Sequence, residues 1–285
     1  MKKLPNISYV NGKSETRISV SDRGLNYGDG LFETILYLNG TFILLEEHLD
    51  RLARDSRRLQ INLELGVLNH ELVVLSEAIK NAGILTGVVK IIVTRQFMGR
   101  GYAYVKNSPS NRLLQYYSGI SYPIENLKGV RLSLCDYRLP ANKQLAGIKH
   151  LNRLDQIMAH NSIKKPFYQE AILFGSGGEV VECVSSNIFS VKDDCLFTPD
   201  LGNAGVQGVM RDYIISGVAP RLRLKTVVKK IYTEDLLSAD ELFVCNSVFG
   251  VWPVIAIHVK EYAGGVITGT IQREINKLGY DTLYQ

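Results

Sequence analysis

Leu31-Phe-Glu-Thr-Ile-Leu-Tyr-Leu-Asn39-Gly40-Thr41-Phe-Ile-Leu44 is the stretch that decides the fold. Asn-Gly between two apolar, β-branched and aromatic runs is a hairpin signal, because a type I′ turn needs positive φ at both central residues. A second such pair, Asn11-Gly12, separates residues 7–10 from residues 17–20 and predicts another hairpin. Downstream of Leu44 the apolar period lengthens. A helix is expected over about 46–59 with Leu49, Leu52, Ala53 and Ser56 on one face, and another over about 69–82 through Leu72, Leu75 and Ile79. Strands return at 88–97 and 113–120. Hairpins dominate over βαβ units, which points to a mixed α/β chain with antiparallel pairing.

Outward from this core the chain reads as two domains with a cleft between them. Residues 1–117 form the first, the small and turn-forming stretch 118–125 the linker, and residues 126–285 the second. In the second, strands are expected near 130–137, 170–174, 180–191, 222–228 and 241–245, and helices near 153–164, 209–218, 233–237 and 268–278. The longest apolar run, 242–259, contains Asn246, Ser247, Pro253 and His258, so it reads as two core strands and a loop and not a membrane span. No repeat or low-complexity segment interrupts the 285 residues.

Composition excludes several classes. Hydrophobic residues make up 46% and charged residues 21% of the chain, an ordinary balance for a soluble enzyme. The net charge of +5 is mild and spread out. Its densest basic group, Arg51, Arg54, Arg57 and Arg58, is interleaved with Glu46, Glu47, Asp50 and Asp55, as on a solvated, ion-paired helix face, and nucleic-acid binding is not expected. Cys135, Cys183, Cys195 and Cys245 lack metal-ligand spacing, as do the five histidines. Scattered thiols and the missing apolar h-region after Met1-Lys-Lys suggest a reduced, cytoplasmic protein.

The chemistry concentrates in four places. Lys149 lies in Leu145-Ala-Gly-Ile-Lys-His-Leu-Asn-Arg-Leu-Asp155, among apolar neighbours and just before a helix start that Asn152 is placed to cap. A buried lysine shifts toward its neutral amine, the form that condenses with a carbonyl. Taken alone, such a lysine also reads as a chain snorkelling off a strand end. Arg51 has the fork geometry to clamp a phosphate, but taken alone it reads first as an exposed pair with Glu47 one helical turn away. Glu182 shares a strand face with Val180 and Val184, where a carboxylate needs a cation or strong donor, unless the strand edge is solvated. Gly205-Val-Gln-Gly208-Val-Met-Arg211 opens a helix whose first N–H groups are free for an anion, and Cys245-Asn246-Ser247-Val248 offers a strand-end loop; each also reads as an ordinary cap or turn. Gly175-Ser-Gly-Gly178 lies between strands with no following helix, so it is a hairpin turn and not a dinucleotide loop.

Together these residues resemble the fold-type IV pyridoxal-phosphate enzymes. The resemblance rests on Asp22-Arg-Gly-Leu-Asn-Tyr-Gly28-Asp-Gly-Leu-Phe-Glu33, His48-Leu-Asp-Arg51, the lysine, Glu182 with Asn187-Ile-Phe, Gly208-Val-Met-Arg211 and the Asn246-Ser247 turn, in the family's order over about 17–260. That family holds branched-chain and D-amino acid aminotransferases and 4-amino-4-deoxychorismate lyases. Leu145-Ala-Gly-Ile-Lys149-His-Leu-Asn-Arg-Leu-Asp-Gln156, with Thr94-Arg95, Gly99-Arg-Gly-Tyr102 and Cys245-Asn246, is most similar to the lyases. The resemblance implies a homodimer acting in folate supply, releasing 4-aminobenzoate and pyruvate. It implies that Lys149 forms the Schiff base with pyridoxal 5'-phosphate and moves protons, and that Glu182 holds the pyridine nitrogen. Arg51, the Val209, Met210 and Val248 N–H groups and the Ser247 hydroxyl would hold the phosphate, with Asn187 in the cofactor set. Thr34 would face the cofactor, and Arg95, Arg100, Tyr102 and Asn246 would meet the substrate. An aminotransferase on the same fold, or a non-catalytic small-molecule-binding relic, are the rival readings.

Overall fold

The computed structural model describes residues 7–96, 99, 101–106, 108–163, 166–258 and 260–285. The chain divides into two compact units, one of residues 1–120 with Lys149–Asn152, the other of Ser121–Ile148 with Arg153–Gln285. Lys149 thus groups with the first unit, although it lies inside the span 126–285 that the sequence assigns to the second domain.

The first unit is a six-stranded antiparallel sheet ordered β2-β1-β6-β5-β3-β4, from β1 (Ile7–Val10), β2 (Lys13–Ser14), β3 (Gly30–Leu38), β4 (Thr41–Phe42), β5 (Thr86–Arg95) and β6 (Ser110–Ser118). The Asn39-Gly40 hairpin forms as expected, with Asn39 at φ 47° and Gly40 at φ 87°. The first hairpin is shorter than expected. Residues 17–20 are not a strand, because the Glu15 carboxylate accepts the Thr16 and Arg17 N–H groups and turns the chain away, and β1 finds its main partner in β6. Helices α1 (Arg23–Tyr27), α2 (Leu45–Arg58) and α3 (Leu65–Asn81) complete the unit. On α3 the buried stripe is Leu68, Leu72, Leu75 and Ile79, joined by Glu71, whose carboxylate pairs with Arg112. On α2 it is His48, Arg51, Leu52, Asp55 and Ser56, a largely polar face in place of the expected apolar one.

The second unit is built on a nine-stranded sheet. Its strands are β7 (Val130–Leu139), β8 (Glu170–Gly175), β9 (Val180–Cys183), β10 (Asn187–Lys192), β11 (Cys195–Pro199), β12 (Lys225–Lys229), β13 (Glu241–Asn246), β14 (Gly250–Ile257) and β15 (Lys260–Glu261). The order is β12-β11-β10-β13-β14-β7-β8-β9, with β15 on β14. Pairing is mixed, since β11–β12, β14–β7 and β7–β8 run parallel. The expected strand 180–191 breaks at Ser185-Ser186, where the Cys183 N–H donates to the Ser186 carbonyl and the Ser185 N–H and hydroxyl both donate to the buried Glu170 carboxylate. Helices α4 (Leu154–Asn161), α5 (Val209–Tyr213), α6 (Ala219–Arg221), α7 (Thr233–Leu237) and α8 (Val266–Asn276) decorate the sheet, with a π turn at Ile214–Val218 joining α5 to α6. Asn152 does not cap α4: the cap position is Arg153, and the Asn152 amide donates to the Gly28 carbonyl instead. Part of the core is Cys135, Leu139, Ala171, Leu173, Val181 and Leu201, to which α4 contributes only Ala159. No helix among the described residues is long and apolar enough to cross a membrane.

Candidate active site

In the first unit, Lys149 is held as a strand-like neighbour of β3. The Phe32 N–H donates to the Lys149 carbonyl at 3.1 Å and the Leu151 N–H to the Gly30 carbonyl at 3.0 Å. The Lys149 N–H donates to Asp55 Oδ2 at 3.2 Å, and Asp55, 1% exposed, is in turn held by Arg54 Nε. Backbone and helix together therefore fix where the side chain starts. Its Nζ lies 4.2 Å from the centre of the Phe32 ring, within cation–π range. The side chain is half-buried, not sealed in the core. Thr34 follows Phe32 on the same face of β3 and is also half-buried. Lys90, opposite Thr34 on β5, places a second ammonium 5.3 Å from the same ring. Lys90 carries no local signal, since its neighbours in sequence read as an ordinary strand.

Behind Phe32, Glu33 points the other way into α2. Its carboxylate takes Arg51 Nε at 2.8 Å and Arg51 Nη2 on the second oxygen, where His48 Nδ1 also arrives at 2.6 Å. All three side chains are buried. The expected Arg51–Glu47 pair is not formed, because a buried carboxylate across the β3–α2 contact offers a stronger, forked partner. Burial alone would raise the Glu33 pKa, but the Arg51 and His48 charges and hydrogen bonds outweigh it and hold the group at about 2. Burial pushes the His48 imidazole down, against the pull of Glu33. An ionised Glu33 can only accept, so His48 Nδ1 carries the proton. Nε2 is then a bare acceptor, with no partner among the described residues.

Arg95 is placed differently from its expected substrate role. Its guanidinium donates to Asp29, to the Leu59 carbonyl at 2.7 Å and to the Gln60 carbonyl at 2.6 Å, and it stacks on Tyr104 at 3.9 Å. It closes the end of α2. Arg23, which the sequence reading did not single out, shares Asp29 and donates to the carbonyls of Gly101 and Ala103. The two arginines thus fasten the loop that carries Tyr102, a residue 86% exposed with its ring 5.6 Å from Tyr27. Arg100 lies outside the described residues.

In the second unit, Glu182 is buried on β9 at 4% exposure. Its Oε2 accepts the Val206 N–H at 2.8 Å, and Gln156 Nε2 stands 3.5 Å from Oε1. Arg153 is close enough that the Glu182 and Asp155 charges oppose the downward push of burial on its guanidinium. The carboxylate is therefore buried among donors, as an ionised group must be, and the solvated strand edge is excluded. Asn187 donates to the Val206 carbonyl at 3.0 Å and so steadies the loop that enters α5. At Gly208 a Cβ would stand 2.0 Å from Asn187 Oδ1, so no side chain fits there and the Val209 and Met210 N–H groups begin the helix beside bare backbone. Across β13–β14, Asn246 makes an Asx turn: its Oδ1 accepts the Val248 and Phe249 N–H groups at 2.9 and 2.8 Å, and its Nδ2 donates to the Ser185 carbonyl. The Val248 N–H expected to hold an anion is thus satisfied inside the turn, as is the Asn246 amide expected to meet substrate.

The donor set suits a cofactor with a carbonyl, a basic ring nitrogen and an anionic tail. The first unit offers an amine on a fixed backbone and a forked arginine, and the second, by itself, a buried carboxylate and a bare helix start. No group of three or more His, Cys, Asp or Glu side chains that could hold a metal gathers among the described residues.

Comparison with known proteins agrees. Residues 30–257 match the family model described as amino-transferase class IV. The chain belongs to the class IV amino-transferase family. It is 32% identical to an aminodeoxychorismate lyase of Vibrio harveyi over 280 residues, covering 94% of this chain and 99% of that one. A D-alanine aminotransferase of Listeria monocytogenes is 30% identical over 279 residues, covering 93% and 90%. The crystal structure of 4-amino-4-deoxychorismate lyase from Pseudomonas aeruginosa superposes with a TM-score of 0.90 at 38% identity, covering 95% and 98%. The mixed α/β fold expected from the sequence is that of this family.

Proposed function

We propose that the protein is a pyridoxal-phosphate-dependent lyase that converts 4-amino-4-deoxychorismate to 4-aminobenzoate and pyruvate, a step in folate supply. The observation that carries this reading is the likeness to lyases along nearly the whole chain, at 38% and 32% identity, together with a lysine fixed by backbone on β3. When bound, pyridoxal 5'-phosphate supplies an electron sink beside the amine-bearing carbon of the substrate. Lys149 would hold the cofactor through its carbonyl carbon, and its amine, once free, would take the proton from ring carbon 4 of the substrate. The enolpyruvyl C–O bond breaks as the ring becomes aromatic, and Lys149 returns the proton to the enolpyruvyl methylene, completing pyruvate. No water is consumed. Aromatisation supplies driving force, so orientation and proton handling are the enzyme's main work. Glu182 keeps the pyridine nitrogen protonated. Arg51, oriented by Glu33, the Val209 and Met210 N–H groups and the Ser247 hydroxyl hold the phosphate.

We also infer a cytoplasmic homodimer. Four free cysteines, three of them buried, support a reducing compartment. Leu154, Ile157 and Met158 form one stripe on α4 at 74%, 53% and 56% exposure, a face suited to a second copy. The catalytic reading is tested by supplying freshly generated aminodeoxychorismate and following 4-aminobenzoate and pyruvate together. Equal release supports the lyase. No release from cofactor-loaded protein, with amino-group transfer from an amino acid to a keto acid, replaces it with the aminotransferase.

A further inference from the structure

The sequence Gly279-Tyr-Asp-Thr-Leu-Tyr-Gln285 follows α8 and takes no part in the site described above. Gly279, at φ 95°, reverses the chain, and residues Tyr280–Leu283 wind into a single 3₁₀ turn. The two tyrosines it carries do not end in solvent. Tyr280 is fully buried and its hydroxyl donates to the Ser247 carbonyl at 3.0 Å. Tyr284 donates to the Phe249 carbonyl at 2.6 Å and accepts Trp252 Nε1 at 2.7 Å. Backbone bonds fix the same segment to Tyr122: the Tyr122 N–H donates to the Leu283 carbonyl, and the Gln285 N–H donates to the Tyr122 carbonyl. The Tyr122 ring then packs edge-on to Trp252 and Phe249, which stack on each other at 3.7 Å.

Both carbonyls belong to the β13–β14 turn, which Asn246 organises from inside through its Asx bonds. The turn is therefore gripped on two sides. Gly250, at φ 82°, has the Tyr280 ring 3.1 Å from where a Cβ would sit, so ring and turn are fitted to each other. Two buried phenols thus meet alternate carbonyls of one short loop. Burial pushes both hydroxyls well above the usual phenol range, so they remain donors at any working pH.

We propose that Tyr280–Gln285 is a positioning strap for the β13–β14 turn, and that the Tyr280 and Tyr284 hydroxyls hold Ser247 in place for the cofactor's phosphate. The proposal rests on the assignment of Ser247 to the phosphate made above. Neither tyrosine touches the cofactor; each acts through the turn. A strap of this kind changes affinity for a ligand with a phosphate and leaves affinity for the same ring without one.

The test titrates cofactor-free protein with pyridoxal phosphate and, separately, with pyridoxal, and records a thermal melt for each variant. Tyr280→Phe and Tyr284→Phe each remove one hydroxyl and keep the ring. Each is expected to weaken pyridoxal phosphate about tenfold, the scale of one buried hydrogen bond, and to leave pyridoxal unchanged. Tyr262→Phe is the control, since that buried phenol donates to the Leu236 carbonyl away from the turn; it should lower the melt and move neither affinity. An unchanged ratio of the two affinities in both strap variants overturns the proposal, whatever the melts do, and so does an equal loss of both. If Tyr280→Phe does not fold, Tyr284→Phe decides alone. A wild-type protein with no preference for the phosphate-bearing form overturns the phosphate assignment itself, and the strap with it; a clear wild-type preference that neither variant alters overturns the strap only.

Discussion

Glu33→Gln is the most informative single change to the scaffold behind Lys149. Glu33 is 1% exposed and meets Arg51 and His48. Its pKa falls from an ordinary 4.5 to about 2 on folding, and a shift of that size corresponds to roughly 3 kcal/mol of stability. Removing the charge also leaves the buried Arg51 guanidinium unpaired, for which roughly 3–5 kcal/mol is usual. The two figures describe one interaction and are not added. A loss of about 3 kcal/mol lowers the melting temperature of a chain this long by roughly 6–12 °C. The pH dependence follows from the depressed pKa: the stabilisation is complete above the unfolded value of 4.5 and is lost as pH falls through the folded value of about 2. Denaturant unfolding of cofactor-free wild type and Glu33→Gln, measured from neutral pH downward, should therefore show a gap that is constant above the first value and closes near the second. A gap absent at neutral pH, or one that survives undiminished in strong acid, would refute the reasoning.

Lys149→Ala should abolish the visible absorption of bound cofactor and reduce turnover by about 10³-fold or more; retained turnover removes the covalent role. Glu182→Gln should keep cofactor yet slow catalysis by about 10²-fold, as expected for loss of one electrostatic stabiliser, and an unchanged kcat removes it from the mechanism. Arg95→Met should destabilise the protein by roughly 1–3 kcal/mol because two carbonyls lose their donor and Asp29 is left with Arg23 alone; an unchanged melt with a raised KM would restore Arg95 to the substrate. Met158→Glu, on the exposed face of α4, should shift sedimentation from dimer toward monomer, and an undisturbed dimer would place the interface elsewhere.

How far the site was legible depends on the range of the signal. The Asn39-Gly40 hairpin, α3 and the glycine turn before β9 were readable because their cause lies within a few residues, in turn chemistry and apolar period. The polar face of α2 was not. His48, Arg51 and Asp55 look like solvent residues in any window of sequence; Glu33, fifteen residues upstream of His48, turns the first two inward, and the Lys149 N–H meets Asp55 from far downstream. Arg95 failed for the same reason: a strand arginine near a Gly-rich loop fits a substrate or a scaffold role, and Asp29 with the end of α2 decides for the scaffold. The Asx bonds of Asn246 were within local reach, since Asn followed by Ser is a turn signal in itself.

By itself the sequence determined most of the element types and the family, and it nominated the residues proposed for the chemistry: an amine at Lys149, a carboxylate at Glu182 and a helix start at Gly208. Those follow from covalent structure and short-range backbone preference. The tertiary structure alone decided which charges are buried, which N–H groups remain for an anion, and that Tyr280 and Tyr284 brace the β13–β14 turn. The reason is physical: desolvation and hydrogen-bond geometry are set by partners tens to hundreds of residues away, and a charge has no assigned role until its partner is in place.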